Sequence, residues 1–206
     1  MKVLLINGSP RGDKCTRCAL KIIAEELEKN GVASEIYDVG SAPVSGCTGC
    51  GACGSLGKCV IDDGVNYCAE KMKECDGIII GSPVHYASAS GAITSFMDRL
   101  AFSAKAQLEY KPGAAVVSCR RGGASFAFDQ LNKYFTILNM PVVSSNYWNM
   151  VHGGSADDVL KDEEGVQTMR NLASNMAWLL KVIELGKNNG ISHPVPEPKI
   201  KTNYIR

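Results

Sequence analysis

The run Gly77-Ile78-Ile79-Ile80-Gly81 carries no polar side chain, and Ser82-Pro83-Val84-His85-Tyr86 follows it directly. An apolar stretch of this kind, bounded by a turn cluster, reads as a strand buried on both faces, as in a parallel sheet covered by helices on either side. Outward from it, strand-like and helix-like segments alternate. Residues 2–6 form a short apolar run ending in Asn7-Gly8-Ser9-Pro10, and 33–39, 113–119 and 141–144 read as the remaining strands. Between them, helical spacing brings Ala19, Ile22, Ile23 and Leu27 to one face of 16–30, with Asn30-Gly31 as a stop. Further helices are expected over 65–75, with Asp62-Asp63-Gly64 marking its start, over 91–102 and through Phe128–Leu138; the last carries the long stripe from Val166 to Ile183. Five strands alternating with helices predict an open, doubly wound α/β sheet of order 2-1-3-4-5, whose ligands lie at the carboxyl ends of the strands.

The length of 206 residues suits one well-buried domain, expected over 1–186 with a cysteine-rich loop at 46–60, followed by an extended tail over 187–206 that carries Pro194, Pro196 and Pro198. With 22 basic and 21 acidic residues the formal charge is +1, which offers no bulk attraction to nucleic acid or to an anionic membrane. The apolar opening is too short for a signal-peptide core, and no run reaches membrane-spanning length, so a cytoplasmic protein is expected. Nine cysteines in such a chain point to thiols or metal ligands more than to disulfides. The isolated Cys68, Cys75 and Cys119 read as small buried hydrophobes.

After the first strand, Gly8-Ser9-Pro10-Arg11-Gly12-Asp13-Lys14-Cys15-Thr16 opens directly into a helix. Free N–H groups and the positive dipole end at such a start bind an anion; Arg11 adds charge, and Ser9 and Thr16 add hydroxyls. Neither G-x-G-x-x-G nor G-x4-G-K-[ST] is present, which favours one terminal phosphate over a dinucleotide or nucleoside triphosphate. The plainer alternative is a capped turn with Thr16 as N-cap. Cys15 and Cys18 form a C-x2-C at the helix start, where a thiolate would be stabilised and a redox pair is conceivable. Two more strand-end loops face the same crevice: 81–91 and Ser118-Cys119-Arg120-Arg121-Gly122-Gly123.

With Gly8-Ser9-Pro10-Arg11 and Thr16, then Ser82-Pro83-Val84-His85-Tyr86, then Arg120-Arg121-Gly122-Gly123, and with the cysteine run, the chain resembles the flavodoxin-like NAD(P)H-dependent FMN reductases, and within them the iron-sulfur flavoproteins, over roughly residues 1–185. The resemblance implies FMN, its phosphate held by Ser9, Arg11, Cys15, Thr16 and Cys18. The flavin ring would lie along Pro83, Val84, His85, Tyr86 and Ser88 and against Arg120, Arg121, Gly122 and Gly123. Tyr86 offers a flat face, glycines let backbone approach the ring, and N–H donors or positive charge there stabilise reduced flavin. His85 bonds the flavin or caps the next helix. Trp148 reads as a substrate platform, supplied in cis or across a dimer, or else as a residue packed at the core edge. His152 is a candidate proton donor. NAD(P)H is the implied electron donor, a small molecule or protein the acceptor, and a homodimer or homotetramer the implied assembly.

Cys47, Cys50, Cys53 and Cys59 have the spacing C-x2-C-x2-C-x5-C among five glycines, too dense in thiols and too flexible to be core filler. The resemblance implies a [4Fe–4S] cluster on these four. Zinc, a disulfide or no metal at all are the alternatives that the spacing leaves open. Rival readings of the whole chain are a pure electron carrier without pyridine-nucleotide activity, a thiol-based redox sensor, or a crevice for a different phosphate ligand.

Overall fold

A computed structural model describes residues 1–202. The elements in chain order are β1 (Lys2–Asn7), α1 (Cys15–Lys29), β2 (Ala33–Asp38), α2 (Cys53–Leu56), α3 (Gly64–Lys71), β3 (Gly77–His85), β4 (Ser88–Ala89), α4 (Gly91–Ser103), α5 (Lys105–Leu108), β5 (Gly113–Cys119), α6 (Ala124–Ile137), β6 (Met150–His152), α7 (Ala156–Lys161) and α8 (Glu163–Asn188). The parallel strands stand in the order β2-β1-β3-β5-β6, with β4 paired antiparallel to β3 off that path. Counting the parallel strands alone, this is the flavodoxin-like order expected.

The reason is visible in β3 and β5. Every residue from Gly77 to Ser82 and all of β5 are buried, so both faces need cover. One core packs Leu4, Ile6, Ile78 and Ile80 against α3, α4 and α6; the other packs Val3, Leu5, Ile79 and Val116 against α1 and α8. Alternate side chains of one strand thus fill two separate cores. No helix among the described residues is long and apolar enough to cross a membrane.

Three expectations need correction. The fifth strand lies at Met150–His152, not 141–144, where only Val142 bridges to Gly113. Between these pairings β5 advances from Gly113 to Val117 while the edge chain advances from Val142 to Met150, so the surplus residues loop out from the sheet edge. The third strand runs on past Gly81 and turns into a hairpin: Val84 pairs Ala89 and His85 pairs Ser88, with Tyr86 (φ 50) and Ala87 (φ 60) as a two-residue turn of primed type. The helix expected over 65–75 ends at Lys71, capped at its start by Asp63, whose side chain accepts from Val65 N at 3.0 Å. After α8, Ile191–Thr202 form no regular element, and His193 stacks on Tyr110 at 4.2 Å. The last residues of the expected tail, 203–206, lie outside the described residues.

Candidate functional site

The register puts Asn7, Gly81, Ser118 and His152 near one edge, so the loops that follow β1, β3, β5 and β6 share it. The first two are locked together. Gly8 N donates to Gly81 O at 2.8 Å, and a Cβ on Gly8 would fall 2.5 Å from Ile93 Cβ. Ser90 Oγ donates to Gly8 O at 2.9 Å and accepts from Ile93 N, which makes Ser90, not His85, the cap of α4. The third joins through Gly123 (φ +90), where a Cβ would lie 2.6 Å from Ala87 Cα. The sequence-expected loops therefore converge.

Inside the phosphate loop, Ser9 Oγ accepts from Arg11 N at 3.2 Å and donates to Arg11 O at 3.3 Å, a closed ring that shapes the turn. Among the described residues, the N–H groups of Gly12, Asp13, Cys15, Thr16 and Arg17 have no acceptor, as expected at a helix start aimed at an anion. Arg11 is exposed, while Arg17 is engaged with Asp38 and Asp13. Thr16 is not the N-cap: that position is Lys14, and Thr16 is buried with Oγ1 sharing a 2.8 Å hydrogen bond with Ser118 Oγ. Replacing Thr16 by valine leaves the Ser118 hydroxyl buried without this partner. A loss of about 1–3 kcal/mol is expected, read as a lower urea midpoint at unchanged slope.

The two thiols of the conceivable redox pair are turned toward backbone carbonyls. Cys15 Sγ faces the carbonyls of Gly153 and Ser155 at 3.4 and 3.3 Å, and Cys18 Sγ that of Ala156 at 3.7 Å. Burial pushes both thiols above their ordinary pKa, so neither is an activated thiolate. Cys18 also donates its N–H to Lys14 O, which leaves it nothing for a phosphate; Cys15 keeps only its N–H. They tie α1 to the loop before α7.

On the opposite rim, His85, Tyr86, Arg120, Arg121 and Gly122 are exposed, whereas Pro83, Val84, Ser88 and Gly123 are partly buried. Neither Arg120 nor Arg121 makes a salt bridge among the described residues. Tyr147 and Trp148 meet edge to face at 5.0 Å in the excursion at the sheet edge, both about half exposed. They stand beside β5 rather than among the three loops, and Trp148 is not packed into the core edge. His152 Nδ1 lies 3.6 Å from Asp162 Oδ2, and its backbone N donates to the same oxygen at 2.7 Å.

Cys47, Cys50, Cys53 and Cys59 all line one cavity of about 210 Å³, together with the buried Arg99 and the exposed Phe102 of α4. All are free thiols. Gly49, Gly51 and Gly57 adopt positive φ, and Gly49 N points at Cys47 Sγ at 3.4 Å. The Cys50 thiol is held below its ordinary pKa by the Ala52 N–H and the Thr48 side chain. Asn66 clamps the far end, accepting from Cys59 N and donating to Cys59 O, each at 3.0 Å. Among the described residues, no three His, Cys, Asp or Glu side chains are grouped to hold one metal ion. Four thiols spread around a cavity suit a polynuclear iron-sulfur centre, in which each iron takes its own thiolate.

Sequence reading missed Arg99. It follows Phe96 by three positions and precedes Leu100, so a charge on the buried face of α4 was the available signal.

The sequence model of the family described as NADPH-dependent FMN reductase matches residues 1–155. An iron-sulfur flavoprotein of Methanocaldococcus jannaschii is 37% identical, over 89% of this chain and 100% of its own length. One from Archaeoglobus fulgidus is 32% identical, over 91% of this chain and 98% of its own. A solved archaeal flavodoxin superposes with a TM-score of 0.60 at 17% identity, covering 88% of this chain and 99% of its own, and so shows the shared fold.

Proposed function

Because the chain belongs to the NADPH-dependent FMN reductase family, we propose that it is an FMN-dependent oxidoreductase that takes electrons from NAD(P)H and hands them to a quinone, flavin, azo compound or protein acceptor through a [4Fe–4S] cluster. The observation that carries this reading is the pairing, in one domain, of three interlocked strand-end loops with a cavity walled by four free cysteines. FMN bound at the loops would supply the step from a hydride pair to single electrons, and the cluster would relay those electrons one at a time.

The protein's own part is positional. Arg11 and the free N–H groups of Gly12, Asp13, Cys15, Thr16 and Arg17 hold the phosphate, Ser9 keeps the loop in shape, and Thr16 anchors its floor to Ser118. The hairpin residues Pro83 to Ser88 supply backbone donors and acceptors along the ring, with Tyr86 as a flat cover. Gly122 and Gly123 bring N–H groups to the ring edge, and the charges of Arg120 and Arg121, without a salt bridge among the described residues, favour the reduced, anionic form. Tyr147 and Trp148 act on an acceptor held in a second copy's crevice within a homodimer, since they stand at the sheet edge. His152, its ring beside Asp162, donates a proton at that edge.

The test begins with protein purified without oxygen, its absorbance recorded before and after flavin removal. Flavin bands with a broad residual absorption afterwards, and bleaching on mixing with NADPH or NADH, are the expected results. A protein that stays oxidised in both nicotinamides is an electron carrier, and a colourless one that takes up no added FMN overturns the reading.

A further inference from the structure

Arg99 carries a charge into the core: it is 2% exposed, the largest of the fully buried side chains among the described residues. A guanidinium is tolerated there only when its donors find partners. Nη1 donates to Asp63 Oδ2 at 2.6 Å and to Ser45 O at 3.4 Å; Nη2 donates to Asp63 Oδ1 at 2.9 Å and to Ile61 O at 2.8 Å. The remaining donor, Nε, points at Cys59 Sγ at 3.3 Å. Burial opposes ionisation of Asp63, but the Arg99 fork and the Val65 N–H more than offset it and hold the carboxyl below its usual range. The pair is therefore ionised, and the fork ties both ends of the cysteine loop to α4.

An ion pair that served only to fasten the loop would be complete with Asp63 and the two carbonyls. The bond to sulfur goes beyond that need. We propose that Arg99 is a positioning residue for the iron-sulfur centre, closing the loop at both ends and donating a charge-assisted N–H···S bond to Cys59 that raises the reduction potential of the cluster. The inference rests on the cluster reading above. Its physical ground is that a positive donor at a ligand sulfur stabilises the more negative, reduced cluster, and that hydrogen bonds to the sulfurs and net charge tune such potentials.

The test measures iron content and the cluster midpoint, by redox titration followed with electron paramagnetic resonance, in the wild-type protein and in Arg99→Lys. Lysine keeps the charge but lacks the planar fork, so it cannot serve Asp63 and Cys59 together. Iron is expected to be retained, with about a tenfold loss in the one-electron reduction equilibrium, a midpoint lower by about 59 mV. Where lysine fails to hold the fold, Arg99→Met/Asp63→Asn removes both charges, leaves the net charge unchanged and keeps a side chain able to cap α3. Its midpoint is also expected to fall, because the bond to sulfur is gone. A cluster whose midpoint stays at the wild-type value in either variant makes Arg99 a fastening residue only and overturns the inference. Wild-type protein without iron would remove the cluster reading itself, a different result from an unshifted midpoint.

Discussion

Cys50→Ala is expected to bring bound iron below about one-tenth of the wild-type content while FMN stays bound. Cys50 is exposed, so its truncation opens no cavity, and the melting temperature should stay close to that of the apo wild type. What the substitution removes is one of the four thiols that line the cavity. With one of four thiolates missing and no further thiol in the loop to replace it, the cluster is expected not to assemble. On the proposed reading the two half-reactions then separate. Reduction of the flavin by NADPH continues at the wild-type rate, whereas transfer to a one-electron acceptor falls at least about a hundredfold, a barrier increase of about 2.7 kcal/mol. Metal analysis, stopped-flow absorbance and steady-state acceptor assays on one preparation check all three. Unchanged iron in Cys50→Ala, or equal transfer with and without iron, would mean that the cysteine loop stands outside the electron path.

The fold was legible because its decisive signals are short and local. Gly77 to Gly81, short, β-branched and bounded by glycines, reads as a doubly covered strand, and Asn30-Gly31 and Asp63 end and begin helices where their chemistry requires. The misplaced fifth strand fails for a physical reason: an edge strand is buried on fewer sides, so 141–144 and 150–152 carry similarly weak patterns and the pairing to β5 decides between them. The hairpin after Gly81 was hidden because Tyr86 and Ala87 are not the residues that announce positive φ. Within the site, residue types identified the loops, but hydrogen-bond saturation did not show in sequence. Cys18 looked like a phosphate contact, yet its N–H and its thiol each already meet a carbonyl. Arg99 shows the converse, a residue outside every motif whose importance comes from five donors meeting partners drawn from both ends of a distant loop.

Gly123→Val is expected to weaken FMN binding by at least about a hundredfold, about 2.7 kcal/mol, with a smaller loss of global stability. Two independent obstacles meet at this position. At φ +90 a β-branched residue is strained whatever its surroundings. Its Cβ would also fall 2.6 Å from Ala87 Cα and 3.1 Å from Val84 Cγ1, and Ala87 is itself fixed at φ 60 by the hairpin turn. Backbone facing backbone leaves no side chain to swing aside, so the loop after β5 and the hairpin after β3 must part. Residues 120–123 lie outside both cores, and of the hairpin only Val84 and Ala89 reach one of them, which is why unfolding by urea should shift less than binding. The crevice, by contrast, is defined by that contact: on the proposed reading the ring lies between the hairpin and the 120–123 loop, and parting them disorganises the donors on both of its sides. Quenching of FMN fluorescence on titration with apoprotein measures the affinity directly. Wild-type affinity in Gly123→Val would show that the two loops bind flavin without touching, and the ring would then have to be assigned to other surfaces of the same edge.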